Sequence, residues 1–401
     1  MAPSPSKSSR PPCSPTDPTA DVSPLALYVH WPYCARICPY CDFNVVRARG
    51  REAEAQALAD ALVQDLRTQA ARLGPRRLGS VFFGGGTPSL MDPAWAARIV
   101  DEARGLFETG PDLEITLEAN PTDAEAERFR GFAEAGVQRL SLGLQSLDDE
   151  ALKFLGRNHD AAEARRAALA AREAFPRLSI DMIYARPGQG AADWTRELEA
   201  ALDLGPEHVS PYQLTIEAGT AFDRAVARGR FAPPVEDAAA ELFETAQSVL
   251  EGAGFEAYEV SNHARGPAAR SAHNLAIWRG AEYLGVGPGA HGRVVLDGAR
   301  TATRGAPAIG DFLKRVEANG AGLDTADALS PAEAAEERVM LGLRIDEGVA
   351  WSDLSALPLT PDSEPVRDLQ GHGLLAPGGE RLAATRAGRL VLDGVLRALL
   401  T

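Results

Sequence analysis

The stretch that decides the fold is the run CARICPYC at residues 34–41, which holds three of the four cysteines in the chain. Cys34, Cys38 and Cys41 follow the spacing C-x3-C-x2-C, so they offer three thiolates and no fourth. Three thiolates leave one iron of a [4Fe–4S] cluster without a protein ligand, and that open iron can hold a small molecule and react with it. The run therefore predicts a cluster-binding loop.

Two other interpretations of the cysteines stay open at this point. A structural zinc site usually has four ligands in paired C-x2-C spacings. Only Cys38 and Cys41 form such a pair, with His30 as a candidate further ligand. A disulfide is disfavoured because the chain is acidic, poor in cysteine and without a secretory signal. Cys13 is interpreted as an incidental exposed thiol.

Composition limits the class of protein. The chain has 401 residues, enough for two or three domains, and 45% of them are hydrophobic. The net charge of −15 argues against nucleic acid as a partner. No run reaches the roughly 18 apolar residues of a membrane span. Residues 1–24 are rich in Pro and Ser and are expected to form a disordered tail. Reduced thiols at a cluster predict a cytoplasmic location.

Strands and helices alternate about six times between residues 25 and 215. This alternation predicts an α/β fold in which a parallel sheet curls into a partial (β/α)6 barrel of the TIM type. The predicted strands are Leu25–Trp31, Ser80–Phe83, Leu113–Leu117, Arg139–Leu144, Leu178–Ile183 and His208–Leu214. The predicted helices are Arg51–Leu73, one starting at Asp92-Pro93, Ala124–Ala135, Ala161–Phe175 and Trp194–Leu202.

Polar and glycine residues fall where these predicted strands end. In barrels of this kind the site lies at the carboxyl ends of the strands. The cysteine loop and the run Gly84-Gly85-Gly86-Thr87-Pro88 occur there, and so do Glu118, Gln145, Asp181 and Gln213. Their shared edge indicates one binding site.

After residue 215 the alternation stops. Pro233 to Ala253 is predicted to be a helix. Residues 326–401 read as a small α-rich unit of the winged-helix type, with a helix over Ala332–Leu343, a hairpin near Leu374-Leu375 and Leu382, and a closing helix over Thr385–Leu399. Its acidic context favours a packing or docking role over DNA binding.

With the glycine run one βα unit after the cysteines, the chain resembles the radical S-adenosylmethionine (SAM) superfamily. There three cysteines hold a [4Fe–4S] cluster and SAM binds the fourth iron. Residues 28–34, YVHWPYC, narrow the resemblance to the family of oxygen-independent coproporphyrinogen III oxidases and HemW-type heme chaperones. It extends from about Leu25 to the C-terminus. It implies a radical SAM partial barrel over 25–215, a family-specific region completing the site over 216–325, and the C-terminal domain over 326–401.

The resemblance implies a role for each matching residue. It assigns the cluster to Cys34, Cys38 and Cys41, and SAM contacts to Tyr28, Gly85, Gly86, Thr87, Glu118, Gln145, Arg157, Asp181 and, through its backbone, Gln213. Arg157 is expected to form a fork on the SAM carboxylate. One departure follows Asp181: the chain reads Tyr184-Ala185-Arg186-Pro187 where the family usually has Gly-Leu before the Pro. We expect a local loop change there.

Two features separate the two branches of that family. The oxidase pattern has a further cysteine two residues after the third, where this chain has Phe43, and the oxidase has a longer ordered N-terminal segment. Residues 271–278, SAHNLAIW, resemble the heme-associated motif HNxxYW, with Ile277 in place of its Tyr. That likeness implies His273 as a heme-iron ligand and Trp278 against the porphyrin. His291, in the glycine-rich run 285–292, is expected near SAM or the cluster.

We therefore predict a heme chaperone that binds a [4Fe–4S] cluster, SAM and heme and passes heme to an acceptor protein. The alternative is an oxygen-independent coproporphyrinogen III oxidase acting by radical SAM decarboxylation, and a radical SAM enzyme with another substrate is the third possibility. Whether the protein is an enzyme at all is left open. The acceptor, a monomeric or dimeric state and any transient membrane association stay undetermined by the sequence.

Overall fold

A computed structural model describes residues 24–401. Residues 1–23, which carry nearly all of the predicted tail and Cys13, lie outside the described residues. The described chain forms one large mixed sheet with helices on its outer face, followed by a small helical unit. None of the described helices has the length and apolar character needed to cross a bilayer.

The large sheet has 12 strands in the order β14-β13-β12-β11-β1-β4-β5-β6-β7-β8-β10-β9. The strands are β1 Leu25–Trp31, β2 Tyr33–Cys34, β3 Val46–Arg47, β4 Arg77–Gly85, β5 Glu108–Ala119, β6 Arg139–Gln145, β7 Arg177–Tyr184, β8 His208–Gln213, β9 Glu256–Glu259, β10 Asn262–Ala264, β11 Tyr283–Val286, β12 His291–Leu296, β13 Ala299–Gly305, β14 Leu323–Ala328, β15 Val349–Ala350 and β16 Arg381–Leu382. Two further pairs, β2 with β3 and β15 with β16, stand apart from it.

Helices connect these strands. They are α1 Glu52–Leu73, α2 Pro93–Leu106, α3 Asp123–Ala126, α4 Phe129–Glu134, α5 Asp149–Phe154, α6 Ala161–Ala174, α7 Ala191–Leu202, α8 Ala221–Ala227, α9 Glu236–Gly252, α10 Ala272–Trp278, α11 Ile309–Asn319, α12 Pro331–Gly342, α13 Glu364–Gly371, α14 Arg386–Leu390 and α15 Leu392–Leu400. Short 3-10 turns span Pro88–Leu90, Pro267–Ala269 and Trp351–Leu354.

The predicted α/β fold is confirmed by six neighbouring parallel strands, β1 and β4 to β8. The first of them, LALYVHW, is buried along nearly its whole length, as expected for a parallel strand covered on both faces. The helix predicted at Asp92-Pro93 begins there, with the Asp92 carboxylate accepting from the Ala94 amide and Pro93 in the first turn.

Three predicted segments differ from the structure. The helix predicted over Ala124–Ala135 is instead two short helices, α3 and α4. The two are held by different contacts: in α3, Glu125 hydrogen-bonds to Ser89 and to the Asn120 amide, whereas in α4, Phe129 and Phe132 pack in the apolar core. The closing helix is broken at Val391. In the predicted hairpin, Leu382 pairs with Val349, and a single bridge joins Leu375 to Ala384.

The region after residue 215 continues the sheet at both edges. On one side β11 pairs in parallel with β1, and β12, β13 and β14 follow in antiparallel order. On the other side β10 and β9 pair antiparallel beyond β8. The sequence analysis missed these strands. The predicted limits at 215 and 325 stay a prediction.

The described residues form two large apolar cores and two small apolar clusters. The larger core collects residues between Leu25 and Val316, and the second core runs from Val339 to Leu399. A buried ion pair joins the two parts: Arg344 donates to Glu259 at 2.7 Å, and the Glu259 side chain is 0% exposed. The Glu259 carboxylate also accepts from the Asn262 amide group and the Ser261 backbone.

We expect Arg344→Leu to lower the free energy of unfolding by about 3 kcal/mol, because it leaves a buried carboxylate without its cation. Urea denaturation followed by circular dichroism measures the loss. Arg386→Leu is the matched control, since Arg386 pairs with Glu251 at the surface, where the two side chains are 59% and 45% exposed; its loss should stay near 0–1 kcal/mol. An equal loss in the free energy of unfolding of the two variants would contradict the prediction that the buried pair stabilises the fold more than the surface pair.

Candidate functional site

The cysteine loop is fixed by a close backbone contact between two segments. The Gly86 amide donates to the Trp31 carbonyl at 2.7 Å, and the Thr87 amide donates to the Tyr33 carbonyl at 2.9 Å. A Cβ atom on Gly86 would lie 2.7 Å from the Tyr33 oxygen, so only glycine allows this approach. Gly85 has φ +109 and lies against the His30 ring. Cys34 therefore begins its loop directly above the carboxyl end of β4.

A cavity of about 490 Å³ opens beside that loop, at the carboxyl ends of the parallel strands. The structure brings most of the predicted site residues together on its wall. These are Cys34, Cys38, Cys41, Gly85, Gly86, Thr87, Glu118, Gln145, Arg157, Asp181 and Gln213. Its size lies within the usual range of small-molecule sites.

Two carboxyl groups form the floor of the cavity. Burial, and then the charge of Asp181, raise the pKa of Glu118 to about 8, although the Gly85 amide donates to it at 3.2 Å. Burial also raises the pKa of Asp181, whose Oδ2 accepts from Ser141 at 3.0 Å. Its Oδ1 atom is buried without a hydrogen-bond partner. The floor is thus a set of acceptors suited to a cationic group.

Gln145 stands in a strained conformation on the cavity wall. Its φ is +65, a value that L-residues rarely adopt, and the pairing of β6 with β7 is irregular at this point. The side-chain oxygen is buried and lacks a hydrogen-bond partner. Backbone strain together with an unsatisfied acceptor is typical of a residue held for a ligand.

Arg157 lies beside the cysteines. Its Nη1 donates to the Cys38 Sγ at 3.2 Å, and its Nη2 donates to the Gly143 carbonyl at 3.0 Å and to the Asn120 side chain. The fork therefore faces Cys38 and Asn120 in this structure. Its Nε is buried and unpartnered. A guanidinium here offsets the negative charge of thiolate ligands.

The cysteines fit a cluster better than a single metal ion. Burial is the main cause that raises the pKa of the Cys34 thiol, to about 11, and that of Cys41. Across residues 24–401, no group of three or more His, Cys, Asp or Glu side chains converges as ligands of one ion. A [4Fe–4S] cluster does not need such convergence because each thiolate binds a different iron. The donor chemistry and the cavity beside it suit that cluster.

Tyr28 and His30 link the cavity wall to the cysteine loop. The His30 Nε2 lies 2.9 Å from the Asn44 carbonyl, so Nε2 carries the proton and donates. Its Nδ1 then accepts from the Tyr28 hydroxyl at 3.1 Å. The Asn44 amide group donates to the carbonyls of Pro288 and Pro307. His30 is thus a support of the loop.

His273 lies away from the cavity residues. It is 3% exposed, its Nδ1 is 3.1 Å from the Ser80 hydroxyl, and its ring stacks on Phe82 at 4.9 Å. The Tyr28 ring is 6.3 Å away. Burial lowers the pKa of His273 to about 4, so its imidazole is neutral, the form that binds iron.

Three further expected heme or SAM contacts, Tyr28, Trp278 and His291, also lie outside the cavity wall. Trp278 packs towards the C-terminal domain, with the Arg344 guanidinium 4.7 Å from its ring centroid. His291 begins β12 and is exposed to solvent. It lies close enough to His30 to influence its charge state.

Several cavity residues escaped the sequence analysis, among them Asn120, Ser141 and Tyr212. Asn120 donates to the Thr87 hydroxyl at 2.9 Å and bonds to Arg157, so it connects the glycine segment to the cysteines. The signal was available, because Asn120 follows Glu118 by two residues at the same sheet edge. Ser141 carried no such signal, since it lies inside a strand.

The departure after Asp181 is accommodated locally. Ala185 has φ +61, the left-handed conformation that suits the glycine usual at this place. Arg186 is 6% exposed, and it is compensated by ion pairing with Glu197 and by a bond to the Ser146 hydroxyl at 2.7 Å. The strain of this segment lies at Ala185.

Comparison with family models gives two matches. Residues 28–201 match the model described as the radical SAM superfamily. Residues 329–391 match the model described as the HemN C-terminal domain. The first match contains the cysteine loop and the cavity strands β4 to β7, and the second lies in the small helical unit.

Comparison with curated proteins gives relatives along most of the chain. The chain is 41% identical to radical S-adenosyl methionine domain-containing protein 1, mitochondrial, of Bos taurus, over 96% of this chain and 90% of that protein. It is 36% identical to heme chaperone HemW of Mycobacterium tuberculosis, over 94% and 95%. The Escherichia coli HemW is 40% identical over 70% and 72%. Among solved structures, the coproporphyrinogen III oxidase HemN of Escherichia coli has the same fold, with a TM-score of 0.79 at 22% identity over 96% of this chain and 92% of that one.

We expect Glu118→Gln to stabilise the ligand-free protein above pH 7. The folded state holds a proton on Glu118 up to about pH 8, whereas the unfolded chain releases it near pH 4.5. Stability therefore falls across that window in the wild type, by up to about 1.4 kcal/mol per pH unit. Thermal unfolding at pH 5, 7 and 8.5 should show a gap between variant and wild type that widens with pH. A constant gap would contradict the prediction.

We expect Ala185→Gly to raise the free energy of unfolding by about 0.5–1 kcal/mol, because it removes left-handed strain at some cost in chain entropy. Urea denaturation of both proteins measures the change. Ala201→Gly is the control, since Ala201 lies inside α7 and is equally buried; that change should destabilise.

Proposed function

Because the chain belongs to the radical SAM superfamily, and within it to the family of HemW-type heme chaperones, we propose that it binds a [4Fe–4S] cluster, SAM and heme and passes the heme to an acceptor protein. The observation that carries the proposal is the similarity to heme chaperone HemW over 94% of the chain, at 36% identity. The cavity supports it independently, because three cysteines and a set of polar acceptors meet there.

Different cavity residues would hold the cluster and SAM. Cys34, Cys38 and Cys41 would ligate three irons, and the cluster would supply an electron to SAM. Glu118 and Asp181 offer acceptors to the cationic amino group. The backbone amides of the glycine segment already have acceptors, because Gly85 donates to the Glu118 carboxylate and Gly86 donates to the Trp31 carbonyl. An ammonium group at this segment would therefore meet carbonyl oxygens.

We place heme at α10, separate from the cavity. His273 and Trp278 are five residues apart, which is about 140° around a helix. In agreement, His273 contacts Ser80 and Phe82 of the sheet, while Trp278 contacts Arg344 of the C-terminal domain. One flat porphyrin cannot touch both while α10 stays helical. Binding through both side chains therefore includes a partial unwinding of α10.

Phe43 argues against the oxidase. It is 62% exposed on the cavity wall, at the position where the oxidase pattern has a further cysteine, so the chain lacks the thiol of that pattern. The oxidase similarity is one of fold. For location, the thiols favour a reducing compartment, which suits either the bacterial cytoplasm or the mitochondrial interior of the animal relatives.

Anaerobic reconstitution followed by two assays tests the proposal. Titration with heme should shift the Soret band, and His273→Ala should weaken heme binding by about tenfold or more. Incubation with coproporphyrinogen III, SAM and a reductant should give no protoporphyrinogen IX. Transfer is then measured as recovery of heme by an apo-acceptor protein.

His372→Ala is the matched control for heme binding, because His372 is exposed on the C-terminal domain and far from α10 in the sequence. A Cys34→Ser, Cys38→Ser, Cys41→Ser variant should lose the cluster absorbance and keep its fold. Turnover of coproporphyrinogen III would overturn the chaperone assignment in favour of the oxidase. If heme causes no Soret shift in the wild type, the proposals of heme binding and heme transfer are both overturned.

A further inference from the structure

Arginines converge where α10 ends against the C-terminal domain. We call this place the α10 seam: Trp278 to Gly280 of α10 and its cap, Arg300 of β13, and Arg338 and Arg344 of the C-terminal domain. Arg300 donates to the Gly280 carbonyl at 3.0 Å, and Arg338 donates to the Trp278 carbonyl at 3.3 Å. Arg344 lies over the Trp278 ring at 4.7 Å.

These guanidinium groups are buried further than surface arginines usually are. The Arg300 side chain is 17% exposed and that of Arg338 is 13% exposed. Burial is the main cause that lowers the pKa of both groups, and each also feels the charge of a neighbouring arginine. Burying positive charge in this way is costly unless anions compensate it.

The charged groups at the seam are balanced in number. Its ion pairs and charge contacts involve Arg279, Arg293, Arg300, Arg338, Arg344 and Arg381 on one side, and Glu259, Glu282, Glu337, Asp346, Glu347 and Asp353 on the other. What distinguishes the seam is therefore the quality of the pairing and not its net charge.

Several polar atoms at the seam also lack partners. Arg300 has two buried nitrogens, Nε and Nη2, without a hydrogen bond, and its nearest carboxylate, Glu337, is 3.9 Å from Nε. The indole nitrogen of Trp278 is likewise buried and unpartnered. Buried donors are normally satisfied, so this concentration indicates that a ligand with acceptor oxygens belongs here.

We propose that the α10 seam is the anchoring site for the two propionates of heme, with Arg300 and Arg338 as their ligands and Trp278 against the porphyrin face. A carboxylate would fill the open donor positions of Arg300. Both arginines already bond to the backbone at Trp278 and Gly280, so a ring lying on Trp278 has its carboxylates within their reach. Arg344 gives up its place on Trp278 when the ring enters.

The inference gives α10 a specific motion. The seam is closed by polar contacts, such as the bidentate pair of Arg279 with Glu347, and by a small apolar cluster that includes Leu275 and Ile345. Interfaces of this kind open more readily than a continuous apolar core. Opening frees the end of α10, which can then unwind so that His273 turns towards the iron.

The test compares heme with its dimethyl ester, in which both propionates are blocked. It rests on the proposed heme binding. Arg300→Gln and Arg338→Gln should each weaken heme binding by about tenfold, the loss of one charge-assisted contact. The dissociation constants of the ester for the wild type and for both variants should lie within about twofold of one another. Arg300→Lys and Arg338→Lys keep the charge and should recover part of the affinity.

Arg67→Gln is the control, because it removes the same charge from α1, where Arg67 pairs with Glu102 and takes no part in the seam. It should bind heme like the wild type. Circular dichroism and thermal unfolding check that each variant is folded. Unchanged heme affinity in both glutamine variants, or an equal loss in Arg67→Gln, overturns the seam assignment. Failure of the wild type to bind heme overturns the proposed function instead.

Discussion

The structure depends on one backbone contact, the packing of Gly86 against Pro32 and Tyr33. A Cβ atom at residue 86 would clash with the Tyr33 carbonyl, so the segments that follow β1 and β4 can approach each other only because residue 86 is glycine. That contact sets where Cys34 stands. It also turns Thr87 towards Cys34 and Asn120, which ties the glycine segment to β5. The cysteine loop is therefore an extension of the sheet edge rather than a free loop.

The cavity formed at this edge is costly to the folded chain. Glu118 and Asp181 are held where burial raises their pKa values, and Gln145 and Ala185 occupy left-handed backbone conformations. Each feature is unfavourable by itself, and they surround the same cavity or its adjoining loop. Strain and unsatisfied acceptors that collect in one place indicate selection for a ligand, since a site chosen only for stability would remove them.

The sequence predicted the parts of the fold that have a strong local pattern. The apolar run of β1 and the long amphipathic α1 were placed correctly, and the strand-end rule brought Glu118, Gln145 and Asp181 to one edge. It missed β13 because ARTATRG has no apolar run, and β11 because YLGV is only four residues long. It also grouped His273 with Trp278, since a linear motif does not show that a helix directs the two to different partners.

That separation has a structural consequence through β4. The strand contacts α10, the helix proposed to bind heme, at Ser80 and Phe82, and five residues after Ser80 it ends at Gly85, beside the cysteine loop. Tyr28 bridges the two ends, because it packs on Phe82 and hydrogen-bonds to His30. A movement of His273 away from Ser80 and Phe82 therefore disturbs the same residues that position the cysteine loop. The cavity and the proposed heme site, about 16 Å apart along a strand at 3.3 Å per residue, thereby share one rigid support, which gives a physical basis for coupling between them.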